Sequence, residues 1–245
     1  MIIYGLIGFP LSHSLSPALF SDRFSKEKIL DKKYLLFPLE QLDNFPEFIR
    51  KNPGIQGLNI TVPYKERILE FLDEIDETAL KIGAVNTIQV HRKKGIPVLK
   101  GYNTDAEGFR LSMDFSRFNK ALILGTGGAS KAIAFTLEEQ GIDFLFISRN
   151  PRNPLSIRYS EITEELMQSH LLIINTTPLG MYPEVDSFPP IPYQWVTSSH
   201  YLYDLVYNPP LTKFLQKGSD KGSIIQNGTK MLHLQAEESL KIWER

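Results

Sequence analysis

Short apolar runs alternate with stretches in which apolar residues recur every three or four positions, and this alternation continues along the whole chain. The runs at 2–7, 34–38, 58–61 and 87–90 have strand length and strand composition, whereas 17–29 and 63–72 carry helical spacing. Ser16 is placed to cap the first helix and Pro17 suits its first turn. Arg92-Lys93-Lys94-Gly95 reads as a hairpin tip before a short strand at 98–102. A second series begins near Lys120, where Ala121-Leu122-Ile123-Leu124 runs into Gly125-Thr126-Gly127-Gly128 and then a helix with Ala132, Ile133, Phe135 and Leu137 inward. Further strands are expected at 144–147, 171–175, 201–206 and 223–226, and a closing helix at 231–243. Strands alternating with helices predict an α/β chain with mainly parallel sheets, changing domain near 103–109 and again near 226–229.

Bulk composition narrows the chemistry. The 245 residues are 42% hydrophobic and 22% charged, which is ordinary for a globular protein. With 27 basic against 28 acidic side chains the net charge is -1, so nothing points to nucleic acid or an anionic membrane as partner. The absence of cysteine removes disulfides, thiolate catalysis and cysteine-based zinc, and fits a reducing cytoplasm. No ligand cluster suggests a metal, and the opening Met1-Ile2-Ile3-Tyr4-Gly5 lacks the basic region of a signal peptide.

The glycine-rich turn follows a strand and opens a helix, which is the setting of a dinucleotide site. Gly125 permits the tight turn, Gly127 lets backbone approach a pyrophosphate, and the helix start at Gly128, Ala129 and Ser130 offers free N–H groups. An NAD site usually has an acid at the end of the next strand; here Ser148-Arg149-Asn150 follows instead. A guanidinium pairs with a 2′-phosphate and gains nothing from a neutral diol, so Arg149, with Arg152 as a second cation, predicts NADP.

In the first half, polar residues sit where strands end: Ser12, Ser14 and Ser16; Asn59 and Thr61, with Lys65 just beyond; Asn86 and Thr87; and Asn103, Thr104 and Asp105. Hydroxyls and amides suit a small polyhydroxylated acid, and Lys65 with Asp105 forms a candidate acid/base pair. Read singly, Ser16 and Asp105 serve equally as helix caps and Lys65 as a surface cation. Lys65 is also expected in the first turn of a helix beginning at Pro63, where the helix dipole disfavours an ammonium.

These motifs together resemble the shikimate dehydrogenases over nearly the whole chain. Gly8-Phe9-Pro10-Leu11-Ser12-His13-Ser14-Leu15-Ser16-Pro17 is similar to the family's N-terminal signature, whose serines at 14 and 16 hold the substrate carboxylate. Asn59-Ile60-Thr61-Val62-Pro63-Tyr64-Lys65, Gly83-Ala84-Val85-Asn86-Thr87 and Gly101-Tyr102-Asn103-Thr104-Asp105 resemble the segments bearing the catalytic Lys65 and Asp105 and the substrate contacts Asn59, Thr61, Asn86 and Thr104. On the cofactor side the resemblance implies Gly125, Thr126, Gly127, Gly128, Ala129 and Ser130, then Ser148, Arg149 and Arg152, Asn175 and Thr176, Leu205, Gly228 and Glu77. Tyr207 and Gln235 are implied at the substrate.

The resemblance further implies a substrate domain of residues 1–104 plus 228–245, a Rossmann-like NADP domain of 105–227, and a cleft between them. The implied reaction is NADPH-dependent reduction of 3-dehydroshikimate to shikimate in the cytoplasm, with homodimerisation left open. Rival readings are a quinate/shikimate dehydrogenase using NAD and a non-catalytic NADP- or metabolite-binding regulator. Ser14, Ser16 and the lack of an acid after Ile147 speak against the first, and the second would be expected to lose Lys65 or Asp105. Three departures stand out: Phe20 where many members have histidine, the altered Ser148-Arg149-Asn150 motif, and a stretch after Arg149 too short and proline-rich for a crossover helix.

Overall fold

The computed structural model describes residues 1–11, 14–151 and 153–245. Two compact units form, one of residues 1–107 with 235–245 and one of residues 108–234; these breaks fall a few residues beyond the expected 104 and 227.

The first unit is built on β1 (Ile2–Gly8), α1 (Ser16–Lys26), β2 (Lys32–Pro38), α2 (Phe45–Lys51), β3 (Ile55–Ile60), β4 (Glu74–Ile75), α3 (Glu77–Ile82), β5 (Thr87–Lys93) and β6 (Ile96–Tyr102). Its strands lie in the order β2-β1-β3-β5-β6-β4. Strands β1, β2 and β3 run parallel, whereas β5 is antiparallel to both β3 and β6. The β5–β6 hairpin turns at Lys94 and Gly95, both with positive φ, as the basic tip predicts. One face of the sheet carries a core of Ile7, Phe45, Ile49, Leu58 and Ile88.

The other face meets Phe20 and Phe24 of α1 and the last turns of α8 (Thr229–Trp243). There Trp243 stacks on Tyr4 at 4.6 Å and donates its indole N–H to the Ile88 carbonyl at 3.0 Å. Phe20 stacks on Tyr34 at 4.1 Å with only 1% of its surface exposed, so this departure from the family pattern is a core residue.

The second unit contains β7 (Lys120–Leu124), α5 (Gly128–Glu139), β8 (Asp143–Ile147), β9 (Ser156–Ile157), α6 (Glu164–Ser169), β10 (Leu172–Asn175), β11 (Tyr201–Asp204), α7 (Lys213–Ser219) and β12 (Ile224–Gln226). All its strands are parallel, ordered β12-β11-β10-β7-β8-β9. Counted from β7 this is the 3-2-1-4-5-6 order of dinucleotide-binding sheets, reversing direction between β7 and β10. Core clusters cover both faces, one around Phe109, Ile133 and Tyr203 and the other around Leu122, Ile173 and Phe214. Helix α4 (Thr104–Ser112) carries the chain from one unit into the next.

The shortened crossover takes the form its prolines predict. Between β8 and β9 the described residues make turns only, tied where Ser156 donates to the Asn153 carbonyl through both N–H (3.0 Å) and hydroxyl (2.8 Å). Strand β9 then pairs with β8 over two residue pairs, Phe146 with Ser156 and Ile147 with Ile157.

Three expectations need correction. Helix α1 ends at Lys26, not residue 29, because Lys28 turns left-handed (φ 57°) and the Ile29 N–H closes back on the Phe24 carbonyl. Ser16 does not cap this helix: it lies inside the first turn, and its own N–H donates to the Ser14 Oγ at 3.3 Å. No α-helix starts at Pro63; a 3₁₀ turn spans Arg67–Phe71. The Lys65 carbonyl, which an α-helix would pair with residue 69, instead accepts the Val85 N–H at 2.7 Å. Without that helix, Lys65 sits in no α-helical first turn. Among the described residues no helix is long and apolar enough to cross a membrane.

A Cβ on Gly57 would lie 2.4 Å from the Trp243 ring. Trp243→Ala should therefore lower stability by about 3–5 kcal/mol and Gly57→Ala by about 1–3 kcal/mol. In the double variant the alanine at 57 should cost little beyond the loss of tryptophan, because the ring it strikes is gone. Additive losses in denaturant unfolding would show that the two do not touch.

Candidate functional site

In the first unit the polar residues gather where β1 and β3 end and β5 begins. The Thr61 N–H donates to the Ile7 carbonyl (2.9 Å), and the Tyr64 N–H donates to the Thr61 carbonyl (2.9 Å), closing the turn that presents Lys65. Buried Tyr64 anchors this turn by donating its hydroxyl to the Leu39 carbonyl at 2.6 Å. Across from it, Asn103 caps α4: its Oδ1 accepts the Ala106 N–H (3.2 Å) while its Nδ2 donates to the Ala84 carbonyl (2.9 Å). Asp105 is thus spared for another partner. It accepts from Lys65 Nζ at 2.6 Å, with side-chain exposures of 16% for the lysine and 8% for the aspartate. A pair this enclosed holds its geometry far better than a surface ion pair.

Beside the pair lies a buried array of amides and hydroxyls. The Thr104 N–H donates to Asn86 Oδ1 (2.7 Å) and Asn86 Nδ2 donates to Thr104 Oγ1 (3.0 Å), so Asn86 grips the start of α4 from both ends of its amide. Thr104 Oγ1 also reaches Gln235 Oε1 on α8 at 3.4 Å. Asn59 lies deeper. Its Nδ2 donates to Ser239 Oγ (2.9 Å) and Thr87 Oγ1 (3.1 Å), and its Oδ1 accepts the Tyr34 hydroxyl (2.9 Å). The sequence reading missed Ser239, which is fully buried and bonded to Thr87, Thr104 and Asn59. Its position four residues after Gln235, on the same helix face, was the available signal. Ser14 and Thr61 are partly exposed and Ser16 is buried, while Glu77 stands exposed in the first turn of α3.

In the second unit the loop after β7 leads straight into α5. Gly125 has φ +112°, and a Cβ there would press to 2.7 Å from Thr176 Oγ1, so both conformation and space demand glycine. Gly127 differs: it has ordinary φ, and a Cβ would meet nothing within 4 Å. No side chain caps α5, so the first N–H groups of Gly128 and Ala129 stay available beside exposed Thr126 and Gly127. An uncapped helix start behind an open glycine is what a pyrophosphate needs, and these residues fit a dinucleotide. Ser130 is fully buried and donates its hydroxyl to the Gly127 carbonyl, supporting the loop from beneath.

The loop after β10 lies alongside. The Thr176 N–H and hydroxyl both donate to the Leu124 carbonyl, at 3.0 and 2.7 Å. Asn175 is fully buried: its Nδ2 donates to Asp204 Oδ1 (2.9 Å), and its Oδ1 accepts the Thr177 hydroxyl (2.6 Å). It shapes the loop rather than facing outward. Leu205 and Tyr207 are half-buried after β11, and a Cβ on Gly228 would collide with the Leu205 carbonyl at 2.1 Å. Beyond β8, Ser148 is buried with its Oγ accepting the Asn150 N–H (3.2 Å), and Arg149 is exposed. Its charge is felt by Tyr159, whose hydroxyl burial pushes up to about 12 against the pull of the guanidinium. Ser12, His13 and Arg152 lie outside the described residues. Among the described residues no cluster of histidine and carboxylates is placed to hold a metal.

Residues 6–88 match the family model described as the shikimate dehydrogenase substrate binding domain. A protein of Clostridium beijerinckii named shikimate dehydrogenase (NADP(+)) is 39% identical over 259 residues, covering 100% of this chain and 92% of its own. The crystal structure of shikimate dehydrogenase 1 from Peptoclostridium difficile superposes with a TM-score of 0.85 at 37% identity, over 100% of this chain and 92% of that one. The Thermus thermophilus enzyme, solved in complex with NADP(H) and shikimate, superposes with a TM-score of 0.85 at 30% identity, over 99% and 93%.

The two loop glycines should respond differently to substitution. Gly125→Ala forces a left-handed alanine against Thr176 and should cost about 1–3 kcal/mol of stability. Gly127→Ala should leave the unfolding midpoint unchanged, because its Cβ enters open space. Equal losses in thermal unfolding would contradict the loop geometry.

Proposed function

This chain belongs to the shikimate dehydrogenase family, and we propose that it catalyses the reversible NADPH-dependent reduction of 3-dehydroshikimate to shikimate, a cytoplasmic step of aromatic amino acid biosynthesis. One observation carries the reading: Lys65 and Asp105, the two groups able to exchange a proton with a substrate oxygen, meet at 2.6 Å in a largely enclosed position. In this reading the first unit binds the substrate and the second binds NADP.

When bound, the nicotinamide supplies or accepts the hydride. The chain's own residues orient the substrate and move its proton. Ser14, Ser16 and Thr61 offer hydroxyls to the carboxylate side of the substrate, and Asn86, Thr104, Tyr207 and Gln235 offer hydrogen bonds to its ring oxygens. The Lys65 ammonium has three donors, and Asp105 engages one of them. In this reading the others are offered to the ketone oxygen; as that oxygen gains charge, the pair delivers a proton to it and recovers one in the reverse direction. Asn59 supports these contacts from within. Gly125, Thr126, Gly127, Gly128 and Ala129 would cradle the pyrophosphate, Thr176, Leu205 and Gly228 would line the nicotinamide end, and Arg149 would take the 2′-phosphate.

The direct test follows cofactor reduction by absorbance with shikimate or quinate, each with NADP or NAD. Shikimate with NADP should be the preferred pair; preference for quinate with NAD, or no turnover with any pair, would reject the proposal. Lys65→Ala should lower kcat by about 10²–10⁴-fold with the fold intact. Asp105→Asn should be comparably severe, and the double variant should lose far less than the product of the single losses. Multiplicative losses would mean that the two act separately. Arg149→Ala should reduce the NADP over NAD ratio of kcat/KM by roughly 10–100-fold, the worth of a charged hydrogen-bonded contact, and leave the shikimate KM unchanged. An unchanged ratio would assign the 2′-phosphate elsewhere.

A further inference from the structure

Asp204 ends β11 as a fully buried carboxylate. Three donors from three segments converge on it: Asn175 Nδ2 from the end of β10 at 2.9 Å, the Val206 N–H at 3.0 Å, and the Thr212 hydroxyl at the start of α7 at 2.6 Å. All these partners are neutral. The titratable group facing it is Tyr193, whose phenol burial and the Asp204 charge push far upward and whose hydroxyl is given to the Pro189 carbonyl. Two of the three bonded segments adjoin a residue assigned above to the nicotinamide end. Asn175 precedes Thr176, and Val206 follows Leu205. The same Thr212 packs under Gly180, whose Cβ would sit 3.2 Å from it.

We propose that the Asp204 carboxylate is a positioning residue for the cofactor, fastening the loops after β10 and β11 so that Thr176 and Leu205 stand ready to receive NADP. This rests on the cofactor reading above and extends it to a residue that is too deeply buried to touch the ligand. Hydrogen bonds to a charged acceptor are about twice as strong as neutral ones. A proton on Asp204 therefore weakens all three fastenings at once. Burial, partly offset by the three donors, pushes the Asp204 carboxyl up to about 6. The fastened form prevails above that pH and is lost as pH falls through it.

The test is the pH dependence of NADP binding to the intact chain, read by calorimetry without shikimate. If only the ionised form binds well, the dissociation constant should rise about tenfold from pH 7 to pH 5 through Asp204 alone. The 2′-phosphate of the ligand titrates in the same range, so Asp204→Asn provides the reference. This variant should bind NADP weakly at pH 7 and should lose the Asp204 part of the pH dependence. Thr212→Val removes one donor to the carboxylate and should move the inflection to higher pH, which a merely structural role would not do. Wild type and Asp204→Asn with the same pH dependence, or an unmoved inflection in Thr212→Val, would overturn the inference. Failure of the wild type to bind NADP at any pH would instead reject the cofactor reading.

Discussion

The first unit depends on a set of buried polar atoms having one another as partners. Asn59, Thr87, Thr104 and Ser239 sit where almost no water reaches, so each donor lacking an acceptor would cost about 1–3 kcal/mol. Among the described residues no buried side-chain nitrogen or oxygen is left without a partner. Satisfying this array requires strand β3, strand β5, the start of α4 and the far end of α8 to be in register together. The rigidity that results is passed on to Asn86 and Asp105, the neighbours that face the substrate in our reading.

The same logic recurs in the second unit with a charge at its centre. There a carboxylate draws three segments together, and the glycine loop is tied to the neighbouring strand through Thr176 and the Leu124 carbonyl. The side chains of Asn175 and Ser130 hold loops in place, one through Asp204 and Thr177 and the other through the Gly127 carbonyl.

Period and punctuation made most strands readable, because a buried parallel strand is a short apolar run such as Ala121-Leu122-Ile123-Leu124. The glycine turn was equally plain, since a left-handed Gly125 and an open Gly127 leave their mark in residue type. Short helices were harder: α2, α6 and α7 span only seven, six and seven residues, too few for a clear helical period. Lys65 reads as helical because Pro63 resembles a helix start, whereas in the structure its carbonyl is taken by the tertiary bond from Val85. Ser239 and Asp204 escaped for a related reason. What makes them matter is a partner distant in sequence, and no local pattern records that.

The returning end of α8 sets an order of events during synthesis. Tyr4, Phe20 and Tyr34 are translated early, yet the indole that covers them arrives only after all of residues 108–234 have been made. At ordinary elongation rates that delay is on the order of ten seconds. Throughout it the nascent first unit, with all six of its strands already made, shows an uncovered aromatic face. The second unit, whose residues are contiguous, can complete itself before the first one does.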